Sequence, residues 1–229
     1  MKQTKNVKII LILGFTGIIG AIITGISDVI LLGRPVSAHS FFVLGTESMA
    51  DIVDWRITAG VFIGVFTLPF QILGLSSIYY SIKNSGKVLK SIILSSFAHA
   101  MFLSVAFHMG YAFIASGWKL YHRLGPGNAI AVEIRDRFIL YWTILLSIMM
   151  TEILIGSILY VSIILRKKTM YPNWMVLFNP IFIFAVIFLL IIIIPAPLGG
   201  YIAPAYLNIS MLAFFVISTF VTYKRAIVI

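Results

Sequence analysis

The chain has 229 residues, of which 61% are hydrophobic and only 10% are charged, and its mean hydropathy is +1.08. An ordinary soluble domain is roughly 45–50% apolar and about 25% charged. This difference excludes a soluble globular protein, a disordered chain and, despite the net charge of +10, a nucleic-acid-binding protein. The composition predicts an integral membrane protein.

Six apolar runs are each long enough to cross a bilayer, which takes roughly 20 residues for about 30 Å of hydrocarbon. They cover residues 9–32, 57–82, 91–116, 138–165, 175–194 and 205–223. None alternates apolar and polar residues as the strands of a membrane barrel do. The sequence therefore predicts an all-α, polytopic transmembrane six-helix bundle formed by a single domain, residues 1–229.

The basic residues are distributed unevenly between the two sides of this bundle. One side carries no acid and has Lys2, Lys5, Lys8, Lys83, Lys87, Lys90, Arg166, Lys167, Lys168, Lys224 and Arg225. Because basic residues accumulate on the cytoplasmic side of membrane proteins, both termini are predicted to be cytoplasmic. We expect a multi-pass protein of the cytoplasmic membrane whose partners include membrane lipids, among them anionic lipid.

Most polar residues outside the spans fall in the predicted outer loops 33–56 and 117–137. Loops of this length are usually either functional or disordered. A third outer segment, 195–204, has three Pro, two Gly and no charge. It can enter the mouth of the bundle only where protein or water satisfies its backbone.

An ionisable group within a span is costly and is therefore a candidate functional residue. Asp28 lies four residues before the predicted outer end of the first span, and Arg56 opens the second span. The two side chains can pair. Such a pair is either a structural clamp between the first two helices or part of the charged wall of an outer pocket.

Glu152 lies in the middle of the fourth span, where its nearest polar neighbour along the chain is Thr151. It is expected to face the bundle interior. It would act either as a protonated group bonded to a neighbouring helix or as a proton carrier, cation site or metal ligand.

His99 and His108 occupy the third span, nine positions apart. At about 100° per residue this offset places them on opposite faces of one helix, so they cannot jointly bind one metal ion. Each is either a neutral histidine bonded across a helix interface or part of a relay with Glu152.

Other features are weaker. Pro69 with Gln71 either opens a cavity within the membrane or marks irregular packing, and Asn208 is predicted at the mouth of a pocket. The chain has no Cys, no Gly-rich phosphate loop and no H-E-x-x-H sequence. The sequence indicates no metal site and leaves any cofactor unknown.

Several motifs occur together and in order along most of the chain. They are Gly25-Ile-Ser-Asp28, Asp54-Trp55-Arg56, Ser96-Phe-Ala-His99, Tyr171-Pro-Asn-Trp and Phe178-Asn179-Pro180, followed by the 195–200 segment. The pattern resembles an uncharacterised family of bacterial polytopic membrane proteins. That resemblance implies a bundle of six to seven helices and points to Asp28, Arg56, His99 and Asn179. It implies no activity.

The leading hypothesis is a membrane protein that binds a small hydrophobic molecule or a lipid in an outward-facing pocket between the first three spans. It would be a transporter or a substrate-capturing subunit, with a partner membrane subunit. Asp28 and Arg56 would set the polarity of the pocket, His108 would line it, and Glu152 with His99 would form a deeper gate. Alternatives are an intramembrane metal-dependent hydrolase and a non-catalytic accessory or immunity protein.

Overall fold

The computed structural model of the protein describes residues 2–82 and 84–228, and it describes side chains for residues 8–82 and 84–227. Lys83 and the side chains of Lys2 and Lys5 therefore lie outside the described residues. The fold is all-helical. The α helices are α1 Lys2–Leu32, α2 Ala38–Leu44, α3 Asp54–Ile82, α4 Lys87–Leu124, α5 Ala129–Leu165, α6 Pro180–Ile192, α7 Leu198–Ile202 and α8 Tyr206–Val228.

Five helical segments are long and apolar enough to cross a membrane within the described part of the chain. They are α1, α3, α4, α5 and the segment from Leu198 that contains α7 and α8. The predicted fifth span instead divides into a 3-10 segment, Asn173–Phe178, and the 13-residue helix α6. Pro180 occupies the first turn of α6, where its missing N–H costs no hydrogen bond. A 13-residue helix is roughly 20 Å long, which is shorter than the hydrocarbon layer.

The prediction of a long loop over 117–137 is wrong. Helix α4 continues to Leu124, and α5 begins at Ala129 after Asn128, whose side chain accepts a hydrogen bond from the Ala131 N–H. The guanidinium of Arg135 lies 4.1 Å from the ring of Tyr121. This cation–π contact joins the two helices beyond the predicted spans.

Residues 33–56 are folded rather than an open loop. Helix α2 and the 3-10 segment Gly45–Asp51 form a cap over one end of the bundle, and we call residues 38–51 the cap. Met49 of the cap is fully buried. The Trp118 indole N–H donates to the Thr46 hydroxyl across 3.2 Å, which fastens the cap to α4.

The segment 195–204 packs against the chain that leads into the cap. The Gly200 N–H donates to the Val36 carbonyl at 2.7 Å, and the Arg34 N–H donates to the Gly200 carbonyl at 3.1 Å. The Ala38 N–H donates to the Ile194 carbonyl. The protein itself therefore satisfies backbone groups of this segment, as its position at the end of an apolar bundle requires.

The core depends on the close approach of α1 and α3. Gly17 and Gly74 face each other, and a Cβ atom built on Gly17 would lie 2.9 Å from the Gly74 Cα and 3.0 Å from Phe215. Small residues allow such contact between helix backbones in a membrane. Beyond this crossing, fully buried aromatic residues, including Tyr160 and Phe214, fill the space between α5 and α8.

Gly17→Ala should therefore destabilise the bundle by about 1–3 kcal/mol, because the added methyl group has no space. Gly25→Ala is the matched control on the same helix, since its nearest neighbour would be the Asn208 Cβ at an ordinary 3.6 Å. Thermal unfolding in detergent measures both variants. Equal melting temperatures for Gly17→Ala and Gly25→Ala would contradict the tight crossing.

Candidate functional site

A cavity of about 330 Å³ lies inside the bundle beneath the cap. Side chains from α1, α3, α4, α5, α6, α8 and the cap surround it. Most of the lining is apolar. The polar and aromatic residues of the lining are Thr24, Asp28, Phe41, Phe42, Thr46, Gln71, Phe97, Ser104, Phe107, His108, Tyr111, Trp142, Phe184, Tyr206, Asn208 and Phe214.

A chain of polar side chains forms one wall of this cavity. The Asn208 amide donates to Asp28 Oδ2 at 2.7 Å, and the Asn208 carbonyl oxygen accepts from the Gln71 amide at 2.9 Å. The Gln71 amide also donates to the Thr24 hydroxyl at 3.2 Å. This network joins α1, α3 and α8 and satisfies polar groups that would be costly to bury alone.

His108 completes the polar wall from α4. Its Nε2 lies 3.1 Å from the Gly60 carbonyl, and its Nδ1 lies 3.7 Å from Asp28 Oδ1. Because a carbonyl only accepts hydrogen bonds, Nε2 carries a proton. The imidazole fits only because position 64 is glycine, since a Cβ there would collide with the ring.

Aromatic rings form the adjoining wall. The Phe107 and Trp142 rings stack with centroids 4.7 Å apart, and Tyr111 contacts Trp142 at 5.6 Å. Tyr111 also meets the His108 ring edge-on at 5.8 Å, which places the aromatic wall beside the carboxylate–imidazole pair. The Trp142 indole N–H is buried and has no hydrogen-bond partner among the described residues.

The predicted ion pair between Asp28 and Arg56 is wrong. The Arg56 guanidinium instead donates to the carbonyls of Ile30 at 2.7 Å, Val29 at 3.3 Å and Gly33 at 2.5 Å. These carbonyls end α1, where the helix leaves its last C=O groups without partners. Arg56 is therefore a cap of α1 and does not line the cavity.

A second arginine lies beside the cap. Arg34 donates to the Ser48 carbonyl, and its guanidinium lies 5.9 Å from the ring of Phe41. Burial lowers the pKa of Arg34, and the positive charge of Arg56 lowers it further. Arg34 holds the cap and, like Arg56, is not part of the cavity lining.

His99 and Glu152 do not form a deep gate. Their Nδ1 and Oε1 atoms lie 2.5 Å apart between α4 and α5, with the His99 side chain 57% exposed and that of Glu152 23% exposed. Neither lines the cavity. Glu152 lies between α4 and α5, where its Oε2 is buried without a hydrogen-bond partner among the described residues. The prediction that His99 and His108 occupy opposite faces is confirmed, since His108 is 4% exposed.

Asn179 is a helix cap. Its side-chain oxygen accepts from the Phe182 N–H at 3.1 Å, and its amide donates to the Val176 carbonyl at 2.6 Å. It does not line the cavity, although the following Pro180 does. Of the six predicted site residues, the cavity therefore includes Asp28 and His108.

Sequence reasoning assigned Gln71 and Asn208 only minor roles and did not place Thr24, Tyr111 or Trp142 at a site. Helical spacing could have identified two of these residues as neighbours of Asp28 and His108. Thr24 precedes Asp28 by four residues, and Tyr111 follows His108 by three, so each pair shares one helix face. The link from Asp28 to Asn208 joins α1 to α8 and has no signal in the local sequence.

The contact between His99 and Glu152 can be tested with a double-mutant cycle. We expect His99→Leu and Glu152→Leu each to lower the free energy of unfolding, because each leaves one polar group without its partner. The double variant should recover part of the loss, with a coupling energy of about 0.6–2 kcal/mol. Unfolding in mixed micelles measures the cycle, and strictly additive effects would contradict the contact.

Comparison with known proteins identifies a family for the chain but no function. Neither curated proteins nor solved structures give a match. A family model does match, and it covers nearly the whole chain. This confirms the resemblance to an uncharacterised family. By this match over residues 1–225, the chain belongs to the family of unknown function DUF6796.

Proposed function

We propose that this protein binds a small, mostly apolar molecule with a polar head in the cavity beneath the cap. The observation that carries the proposal is the cavity itself, which has apolar and aromatic walls and one polar wall around Asp28 and His108. Ligand sites combine these two properties, because apolar surface supplies affinity and a few polar groups fix the orientation.

The membrane setting supports a ligand taken from a bilayer or from outside the cell. Five helical segments are apolar enough to span, which indicates a multi-pass membrane protein. The chain returns through α6 between Met170, whose N–H donates to the Ser81 carbonyl, and Ile194, whose carbonyl accepts from Ala38 beside the cap. This sixth crossing of a single domain brings the two termini to the same side, and the excess of basic residues near Lys87 and Arg166 favours the cytoplasm for that side. The cap then lies on the outer side of the cytoplasmic membrane, and the cavity beneath it faces outward.

Binding fits the site better than hydrolysis does. No cluster of three His, Asp or Glu side chains suited to a metal ion occurs in the part of the chain that is described. Ser27 lies 3.5 Å from His108 Nε2, but its hydroxyl donates to the Thr24 carbonyl at 2.6 Å. Because Nε2 already donates to Gly60, it cannot take a proton from Ser27.

The cap suggests a protein that captures its ligand, either as a transporter or as a subunit that delivers the ligand to a partner. Phe41, Phe42 and Met49 of the cap line the cavity. A ligand between them and the polar wall is shielded from water, which strengthens polar contacts made inside. A partner membrane subunit would find a polar contact at His99, the exposed member of the outer pair.

Met211→Trp should abolish ligand binding, because Met211 lines the cavity and the larger indole would fill it. Val216→Trp is the matched control on the same helix, since Val216 is 44% exposed on the outer face. Native mass spectrometry of gently extracted protein should show a bound small molecule or lipid in the wild type and in Val216→Trp. It should be missing from Met211→Trp.

Two results would contradict the proposal. One is equal retention of the bound mass by Met211→Trp and Val216→Trp, which would place the molecule on the outer surface. The other is wild-type protein that carries no bound mass and binds neither benzyltrimethylammonium nor neopentylbenzene, a charged and an uncharged probe of the same shape. The accessory-protein alternative would then take its place, and co-purifying membrane proteins would identify the partner.

A further inference from the structure

The cavity has an unusual balance of charge. Asp28 is the acid of its lining, and none of the described residues that line it is Lys or Arg. Asp28 Oδ2 accepts from Asn208, whereas Oδ1 has no hydrogen-bond donor within 3.5 Å among the described residues. His108 Nδ1 lies 3.7 Å from Oδ1. A carboxylate in a membrane interior that lacks a fixed cation marks a place for an exchangeable one.

Two kinds of exchangeable cation can neutralise the Asp28 carboxylate. The first is a proton held between Asp28 Oδ1 and His108 Nδ1, because Nε2 keeps its own proton on the Gly60 carbonyl. The second is a positively charged ligand head in the cavity. With the proton, Asp28 and His108 together carry no net charge; with the ligand, the two residues carry −1 and the ligand head carries +1. The site as a whole is neutral in both cases, which is the inexpensive state within hydrocarbon.

The aromatic wall favours an organic cation as the second kind. Tyr111, Trp142 and Phe107 contact one another beside His108, and Phe42 with Tyr206 close the cavity from the cap side at 5.6 Å. The faces of aromatic rings attract ammonium groups, and such rings form the cages that recognise quaternary ammonium ligands. A small metal cation would leave these apolar walls without a role.

We infer that the ligand of the cavity is an organic cation, an amine or a quaternary ammonium compound, which replaces the proton held between Asp28 and His108. The inference rests on the proposed function and names its ligand class. On binding, the cation takes its place beside Asp28 Oδ1, the shared proton leaves to solvent, and His108 stays neutral with its Nε2–H on Gly60. Charge balances, since one positive charge enters and one leaves.

Few other titratable or charged groups face Asp28 and His108. From α4, Tyr111 faces His108, and from the start of α8, Tyr206 lines the same cavity. From α3 the neighbours are the Gly60 carbonyl and the Gln71 amide, which do not titrate. Arg56 lies at the end of α1, where backbone carbonyls hold it.

The test compares two probes of the same shape. Benzyltrimethylammonium and its carbon isostere neopentylbenzene differ in one atom and one charge. Calorimetric titration of the full-length protein in lipid nanodiscs measures both, and only binding that Met211→Trp abolishes is counted. We expect the cation to bind about ten-fold more tightly or better, since both the carboxylate and the aromatic rings favour it.

Proton release gives a second readout. Titration in two buffers of different protonation enthalpy should show release of up to one proton for each cation bound and none for the isostere. Affinity for the cation should rise as pH increases, because fewer protons compete for Asp28. The affinity for the neutral isostere should not change.

Two variants complete the design. Asp28→Asn should lose the preference for the cation and keep the binding of neopentylbenzene, which also shows that the cavity is intact. Glu152→Gln removes the other acid of the predicted spans, outside the cavity, and should keep the preference.

The outcomes separate the two proposals. Equal binding of both probes, a preference for the isostere, or a preference that survives Asp28→Asn would overturn the organic-cation inference and leave a binding cavity. Failure of both probes to bind would overturn the inference and, with no bound mass on the wild-type protein, the proposed function as well.

Discussion

The arrangement of the bundle interior depends on the burial of one carboxyl group, that of Asp28, which is 6% exposed. No arginine or lysine among the described residues pairs with it. It is held instead by an amide from α8 and faces an imidazole from α4, so three helices must meet at one point. Because a buried polar group without a partner is expensive, this meeting point restricts how the helices can pack. The cavity is the space that remains beside it.

Glycine makes that arrangement sterically possible at two depths. Gly17 and Gly74 bring α1 and α3 into backbone contact, and Gly64 leaves room for the His108 ring against α3. A side chain at either level would separate the helices that the polar network joins. Packing and polar contacts therefore support the same geometry, as expected of a sequence that specifies one structure.

The two arginines near the Leu32 end of α1 act on the backbone rather than on acids. Arg56 collects the last carbonyls of α1, and Arg34 reaches the carbonyl of Ser48 in the cap. A guanidinium suits this role because its donors form a rigid fork. Because Arg56 is bonded to these carbonyls, its charge does not neutralise Asp28. The free carboxyl group of Asp28 is what makes the cavity a candidate site for a cation.

The sequence alone determined the all-α class, the long apolar helices and the opposite faces of His99 and His108. These properties follow from composition and from the helical repeat, which are local. It also identified Asp28 and His108 as costly residues, although not as neighbours. The tertiary structure decided the partners: Asn208 rather than Arg56 for Asp28, and His99 on the outer face for Glu152. Those contacts join residues up to 180 positions apart, and they depend on how the helices pack, which no local pattern encodes.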